Sequence, residues 1–279
     1  MLIKGRRTTA RKMATAPAKE AGEPLPTSPT DQEKDNKIRK TMEEDLKSFN
    51  ILFGITNGVG LLCVVLVLVW TSHYAGGFAW RSDPPKQFNW HPLLMTVGMI
   101  YLFANSIMIY RALRTMRKQK LKLVHAGIHS VVILCIIIAQ VAVFDFHNLS
   151  NIPNLYTLHS WIGLLTVIIY FAQWAMSLVV FLYPGVPLSV RATIMPWHVF
   201  LGLFAFIMAI ATSLSGLLEK AIFKIKNYGE LPGEAVLMNT IGLFFVLFAV
   251  LVVYLTTEPK FKRHPRPEDG ALLSTSPNE

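Results

Sequence analysis

Apolar residues gather into six runs, at roughly 50–72, 91–110, 123–144, 158–183, 194–218 and 236–256, with polar residues collected between them. Each run holds about 20 residues or more, the length a helix needs to cross a ~30 Å hydrocarbon core. The second and fifth are the least uniform, carrying Asn105, Thr212 and Ser213, but neither contains an internal charge. This pattern predicts an all-α membrane protein with six transmembrane helices. The membrane domain is expected at 50–257, between polar segments 1–49 and 258–279. The leading segment is rich in Pro, Ala and charge and has no apolar stretch. It is therefore expected to be a disordered tail without a cleavable signal, so that the first run serves as the insertion signal.

Composition agrees. Mean hydropathy is +0.42 and only 16% of residues are charged, against nearer a quarter in soluble domains. Both cysteines, Cys63 and Cys135, fall inside apolar runs, where small packing residues are expected and disulfides are not. The net charge of +10 raises the possibility of a nucleic-acid partner, but its distribution argues for membrane topology instead. Of the 27 Lys and Arg residues, 22 lie before the first run, at 111–122, at Arg191 or after residue 258. The remaining five are Arg81, Lys86, Lys220, Lys224 and Lys226. The positive-inside rule then puts both termini in the cytosol. No nucleic-acid partner is expected; membrane lipid is.

Four runs each carry a histidine close to their start: His91, His125, His159 and His198. With the N-terminus inside, His91 and His159 begin helices at the outer face, and His125 and His198 begin helices at the cytosolic face. Two imidazoles at matched depth on different helices suit axial ligation of an iron porphyrin in a bundle, with no coordination position left open. Alternatives remain at this stage. His129 lies one helical turn from His125 and is a rival ligand, and the pair could share zinc, although no acidic or third ligand lies within the runs. Histidines that only hydrogen-bond between helices would look the same. A transporter or receptor with intramembrane histidines on a proton or metal path is the competing class. It calls for mid-span acidic residues or paired Gly/Pro breaks, which the runs lack. His73 and His147 belong to the outer side, and His147 is a candidate for an outer metal ion or acceptor. His264 falls in the tail and has no expected role. Asn148-Leu149-Ser150 is a glycosylation sequon on the non-cytosolic side.

The stretches Phe88-Asn89-Trp90-His91-Pro92, His125-Ala126-Gly127, Leu158-His159-Ser160-Trp161 and Pro196-Trp197-His198-Val199 resemble the cytochrome b561 family, in particular its animal ascorbate-dependent branch. The similarity runs from the first apolar run to Arg263. The resemblance implies a central four-helix bundle, formed by the second to fifth helices, that holds two haem b groups per chain. His91 and His159 would ligate the outer haem, and His125 and His198 the cytosolic one. Ascorbate in the cytosol would bind Lys118, Lys122 and Arg191 and give one electron to monodehydroascorbate or ferric iron outside. Arg111 and Lys262 would accompany the cytosolic haem; Asn154, Leu155, Tyr156, Thr157 and Glu219 would accompany the outer one. A homodimer is the expected assembly. The loop Trp80–Lys86 departs from any single member's pattern, so the acceptor is the least transferable inference. Glu268, Leu272 and Leu273 resemble an acidic-dileucine sorting signal, which favours an endolysosomal or secretory-vesicle membrane over the plasma membrane.

Overall fold

The computed structural model describes residues 29–263; His264 and the tail sorting pattern lie outside them. Six helices are long and apolar enough to cross a membrane: α1 (Gln32–Tyr74), α2 (Pro84–Ala112), α3 (Lys118–Leu149), α4 (Leu158–Leu182), α5 (Leu188–Lys224) and α6 (Gly233–Thr257). No strand occurs among the described residues. The chain divides into two compact units, Met1–Glu43 and Glu44–Glu279. In the first unit the described residues are helical, with exposed charged side chains and Arg39 Nε 4.0 Å from Glu43 one turn on.

That helix corrects one boundary. Helical structure starts at Pro29, well before residue 50, so residues 29–49 of the expected tail are helical. The reason is local: no Gly or Pro occurs from 30 to 53, and Lys, Glu, Gln and Arg are good helix formers. Apolar run-length marks the membrane-facing part of a helix and says nothing of its polar extension.

In the second unit, α2 packs on α3, α3 on α4, α4 on α5 and α5 back on α2, closing a ring of four. α6 packs outside this ring against α2 and α5, and it meets the end of α1. Half of the apolar window of α2 is buried, against 17–28% for the other five helices. This accounts for α2 being the least apolar of the six: a helix that faces protein on most sides needs less hydrophobicity than one that faces lipid. The outward faces carry large exposed apolar side chains, among them Leu134, Trp161 and Leu243, as a lipid-facing surface requires.

Candidate functional site

After a short helical stretch at Pro84–Gln87, α2 resumes at Trp90, and this part is fixed by the residues around His91. Asn89 is buried and donates from Nδ2 to the carbonyls of Gly77 (2.6 Å) and Ala75 (3.0 Å), while Trp90 Nε1 donates to Ala79 (3.0 Å). These bonds satisfy backbone acceptors where the chain leaves α1 and pin the loop to the helix that carries His91. The start of α4 is fixed by a reciprocal cap. Thr157 and Ser160 each bond the other's backbone N–H, which sets His159 in the first turn. The turn before it holds Leu155 at φ 56°, and Trp161 Nε1 donates to the Leu155 carbonyl at 2.8 Å. His125 and His198 sit differently from expectation. Their helices begin at Lys118 and Leu188, so the two histidines lie about two and three turns in, beyond polar first turns that the apolar pattern did not register.

The four histidines meet in twos. The ring centres of His91 and His159 are 6.3 Å apart, and those of His125 and His198 are 6.0 Å apart. Two imidazole nitrogens about 2.0 Å from one metal ion, with ring centres about 1.1 Å behind them, would stand roughly 6 Å apart. Each ring is also tied down at Nδ1. His91 donates to the Ala139 carbonyl (3.4 Å), His125 to the Ser106 carbonyl (2.9 Å) and His159 to the Thr212 carbonyl (2.9 Å), and His198 bonds Ser177 Oγ (2.9 Å). A carbonyl only accepts, so in the first three rings Nδ1 carries the proton and Nε2 keeps the lone pair needed to bind a metal. The residue set fits a bis-imidazole cofactor at both levels. The spacing between levels follows from the helices: His91 to Ser106 is 15 residues, and His125 to Ala139 and His198 to Thr212 are 14 each. At 1.5 Å per residue that is about 21 Å.

His129 lies 4.4 Å from His125 between ring centres, and its Nδ1 is 2.6 Å from the Tyr170 hydroxyl. Tyr170 is buried and packs edge-on against Phe103. Among the described residues no three His, Cys, Asp or Glu side chains converge as a metal cage, so the zinc alternative at His125 and His129 finds no further ligand.

A cavity of about 290 Å³ opens beside His91 and His159. Its walls are largely apolar, and its polar lining includes Thr157, His147, Glu219 and Lys220. Leu155 and Tyr156 line it as well; Asn154 does not, and instead donates to Asn148 Oδ1 at 2.8 Å. Sequence reasoning missed Gly216 and Lys220. A Cβ on Gly216 would stand 2.6 Å from Cε1 and 2.8 Å from Nδ1 of His159, so glycine is what lets α5 approach the ring. Lys220 read as a topology charge, yet its Nζ lies 3.7 Å from the Phe88 ring centre.

At the opposite end the cations converge. Lys122 Nζ donates to the Phe181 carbonyl at 2.8 Å, and Lys118 and Arg191 are within electrostatic reach of it. Arg191 donates from Nη2 to the Tyr183 carbonyl at 3.3 Å, and its buried Nε has no partner among the described residues. Arg111 donates to the Glu258 carbonyl (2.5 Å) and Arg114 to the Phe261 carbonyl (2.9 Å). These two bonds hold the chain that leads to Lys262, which is itself exposed. Burial against Phe49 holds the Arg114 guanidinium below its usual pKa, with Asp45 opposing the shift.

Residues 90–224 match the family described as eukaryotic cytochrome b561. The plasma membrane ascorbate-dependent reductase of Xenopus laevis is 43% identical over 243 residues, covering 85% of each chain. The chain belongs to the cytochrome b561 family. The lysosomal membrane ascorbate-dependent ferrireductase of Danio rerio is 40% identical over 220 residues, 76% of this chain and 88% of the relative. Its human counterpart is 37% identical over 229 residues, 80% and 93% of the two chains. As a cytochrome b561 this is an integral, multi-pass membrane protein of a haem-binding family.

Proposed function

We propose that this protein passes single electrons across a membrane, from ascorbate at the end bearing Lys118, Lys122 and Arg191 to an acceptor at the end bearing the cavity. One b haem would be held by His125 and His198 and a second by His91 and His159. When bound, the haems supply reversible one-electron chemistry at iron. The observation that carries this reading is the pair of facing imidazole couples inside the helix ring, with Nδ1 tied to a neighbouring helix in every case. With a haem bound, two histidine nitrogens would complete the iron's ligands, so the site would serve electron transfer and not oxygen binding.

Ascorbate is an anion at neutral pH, and the three cations concentrate and orient it. Lys262 and Arg111 would neutralise propionates at that end; the turn Asn154–Thr157 and Glu219 would stand beside those at the other. His147 is available for an outer metal ion, and the acceptor would be monodehydroascorbate or ferric iron. The basic end faces the cytosol by the positive-inside rule, and the tail pattern at Glu268, Leu272 and Leu273 would direct the protein to endolysosomal membranes.

The test is reconstitution into vesicles loaded with ferric chelate or an ascorbate-radical source, with ascorbate added outside. The purified protein should hold two b haems per chain, and external ascorbate should drive reduction of the trapped acceptor. A folded protein without a b-type spectrum would refute the reading.

A further inference from the structure

Among the described residues, Lys220 is the one lysine or arginine that lines the cavity beside His91 and His159. Its ammonium lies 3.7 Å from the Phe88 ring centre and 5.8 Å from that of Phe146. It is within electrostatic reach of both His91 and His147. The acidic groups around it are engaged elsewhere. Glu234 accepts from Lys224 Nζ at 2.7 Å and from Trp70 Nε1 at 2.9 Å. Asp145 accepts from Arg81 at 2.9 and 3.0 Å and from Gln87 at 2.7 Å. Glu219 also lines the cavity, and its electrostatic partner is His147. Among the described residues Lys220 makes no hydrogen bond or ion pair; its company is aromatic.

An ammonium has three donors, and a ring face satisfies only one side of it. Lys220 is half-buried, and Glu234, a carboxylate within electrostatic reach of it, is already held by Lys224. The arrangement is that of a cation waiting for an anion. We propose that Lys220 is an anion-binding residue that takes a carboxylate or enolate oxygen entering this cavity, and so selects for negative charge at the acceptor end. This rests on the electron-transfer reading above and deepens it. Ferric iron would be accepted as an anionic carboxylate chelate in preference to the bare cation, and the ascorbate radical as its monoanion. The same chemistry describes a haem propionate, and the experiment separates the two sources.

Full-length protein in detergent, loaded with haem and reduced by ascorbate, is mixed in a stopped flow with hexacyanoferrate(III) or hexaammineruthenium(III). One electron leaves the protein and converts Fe(III) to Fe(II) or Ru(III) to Ru(II); no bond is made and no proton moves. Haem content and midpoint potentials are measured alongside. Lys220→Gln should slow the anionic probe about tenfold, the low end of electrostatic steering, and change the cationic probe by less than about twofold or accelerate it; Lys220→Arg should behave as wild type. That pattern at unchanged potentials assigns the anion to the incoming acceptor. A lowered potential or loss of one haem in Lys220→Gln, restored in Lys220→Arg, assigns it to a propionate. If haem content, potentials and the ratio of the two rates all match wild type, the proposal is overturned. Should both variants fail to load haem, the wild type decides: rising salt must slow the anionic probe and speed the cationic one, and the reverse trend overturns the proposal. A wild-type protein that binds no haem, or is not reduced by ascorbate, would instead fail the underlying reading.

Discussion

Gly216→Ala sets two physical arguments against each other. In a helix interior Ala is favoured over Gly by about 0.8–1 kcal/mol, so backbone propensity alone makes the substitution stabilising. The added Cβ, however, would sit 2.6 Å from His159 Cε1 and 2.8 Å from Nδ1. Reaching the 3.4 Å of ordinary van der Waals contact displaces the ring by about 0.8 Å, several times the ~0.2 Å latitude of a metal–ligand distance. The same displacement disturbs the 2.9 Å bond from His159 Nδ1 to the Thr212 carbonyl. Overpacking of this kind costs about 1–3 kcal/mol, enough to cancel the propensity gain. Gly127 on α3 has nothing within 4 Å of a Cβ position, so Gly127→Ala is the matched control. Pyridine haemochrome assay and reductive titration of the purified proteins should show about one haem per chain in Gly216→Ala, with the spectrum of the His125–His198 level retained. Gly127→Ala should keep two and melt no lower than wild type. Two intact haems with unshifted potentials in Gly216→Ala would refute the claim that close approach of α5 to His159 builds the site.

Lys122→Ala should raise the KM for ascorbate about tenfold or more, through loss of a charge-assisted contact worth roughly 1.5–3 kcal/mol, while haem content stays at wild type; unchanged reduction kinetics would remove Lys122 from the donor site. His125→Ala should lose one haem, whereas His129→Ala should keep both, and the reverse outcome would make His129 the ligand. Ser177→Ala removes the hydroxyl that holds His198 Nδ1, which among the four paired histidines is the one with no carbonyl partner among the described residues. Such supports are typically worth 10–100-fold in metal affinity, so dilution of the purified variant should release one haem faster than wild type, and equal release rates would argue against the role.

Helix count and the meeting of four histidines in twos were legible in the sequence, because both are written in runs and spacing. The six apolar runs map onto α1 to α6 in order, and His91, His125, His159 and His198 each lie near the start of a run. Helix length was not legible, since the charges at Lys118–Lys122 and Arg191 interrupt the apolar pattern while still lying on the helices. The closure of α2 to α5 into a ring was expected from the family resemblance, and α2's lower hydropathy was a physical hint of it that reads equally well as a weak span. Gly216 could not be found from sequence: a glycine in a transmembrane helix is ordinary, and only the imidazole lying against it gives it meaning. Lys220 was hidden for a related reason. In sequence Lys220 is just one of the five charges on the outer side, and its aromatic surroundings, contributed by Phe88 on α2 and Phe146 on α3, stay invisible until those helices are assembled.

The hydrogen bonds at Nδ1 explain why the two levels come as a matched set. α2 supplies His91 to one level and the Ser106 carbonyl to the other, where it holds His125. α3 supplies His125 and returns the Ala139 carbonyl to His91. α4 and α5 exchange in the same way, Ser177 supporting His198 and the Thr212 carbonyl supporting His159. Each antiparallel pair is therefore a unit in which building one ligand position also builds the support for the other, some 14 to 18 residues along the partner helix. Three of the four supports are backbone carbonyls, which no side-chain substitution removes. A carbonyl in mid-helix already accepts its own i+4 N–H, and its second lone pair is what the imidazole takes. The consequence is that helix register, more than residue identity, sets the orientation of these rings. A one-residue slip in α3 would rotate Ala139 away from His91 and His125 away from His198 together, so the two levels are gained or lost by the same packing and not by separate sites evolving side by side.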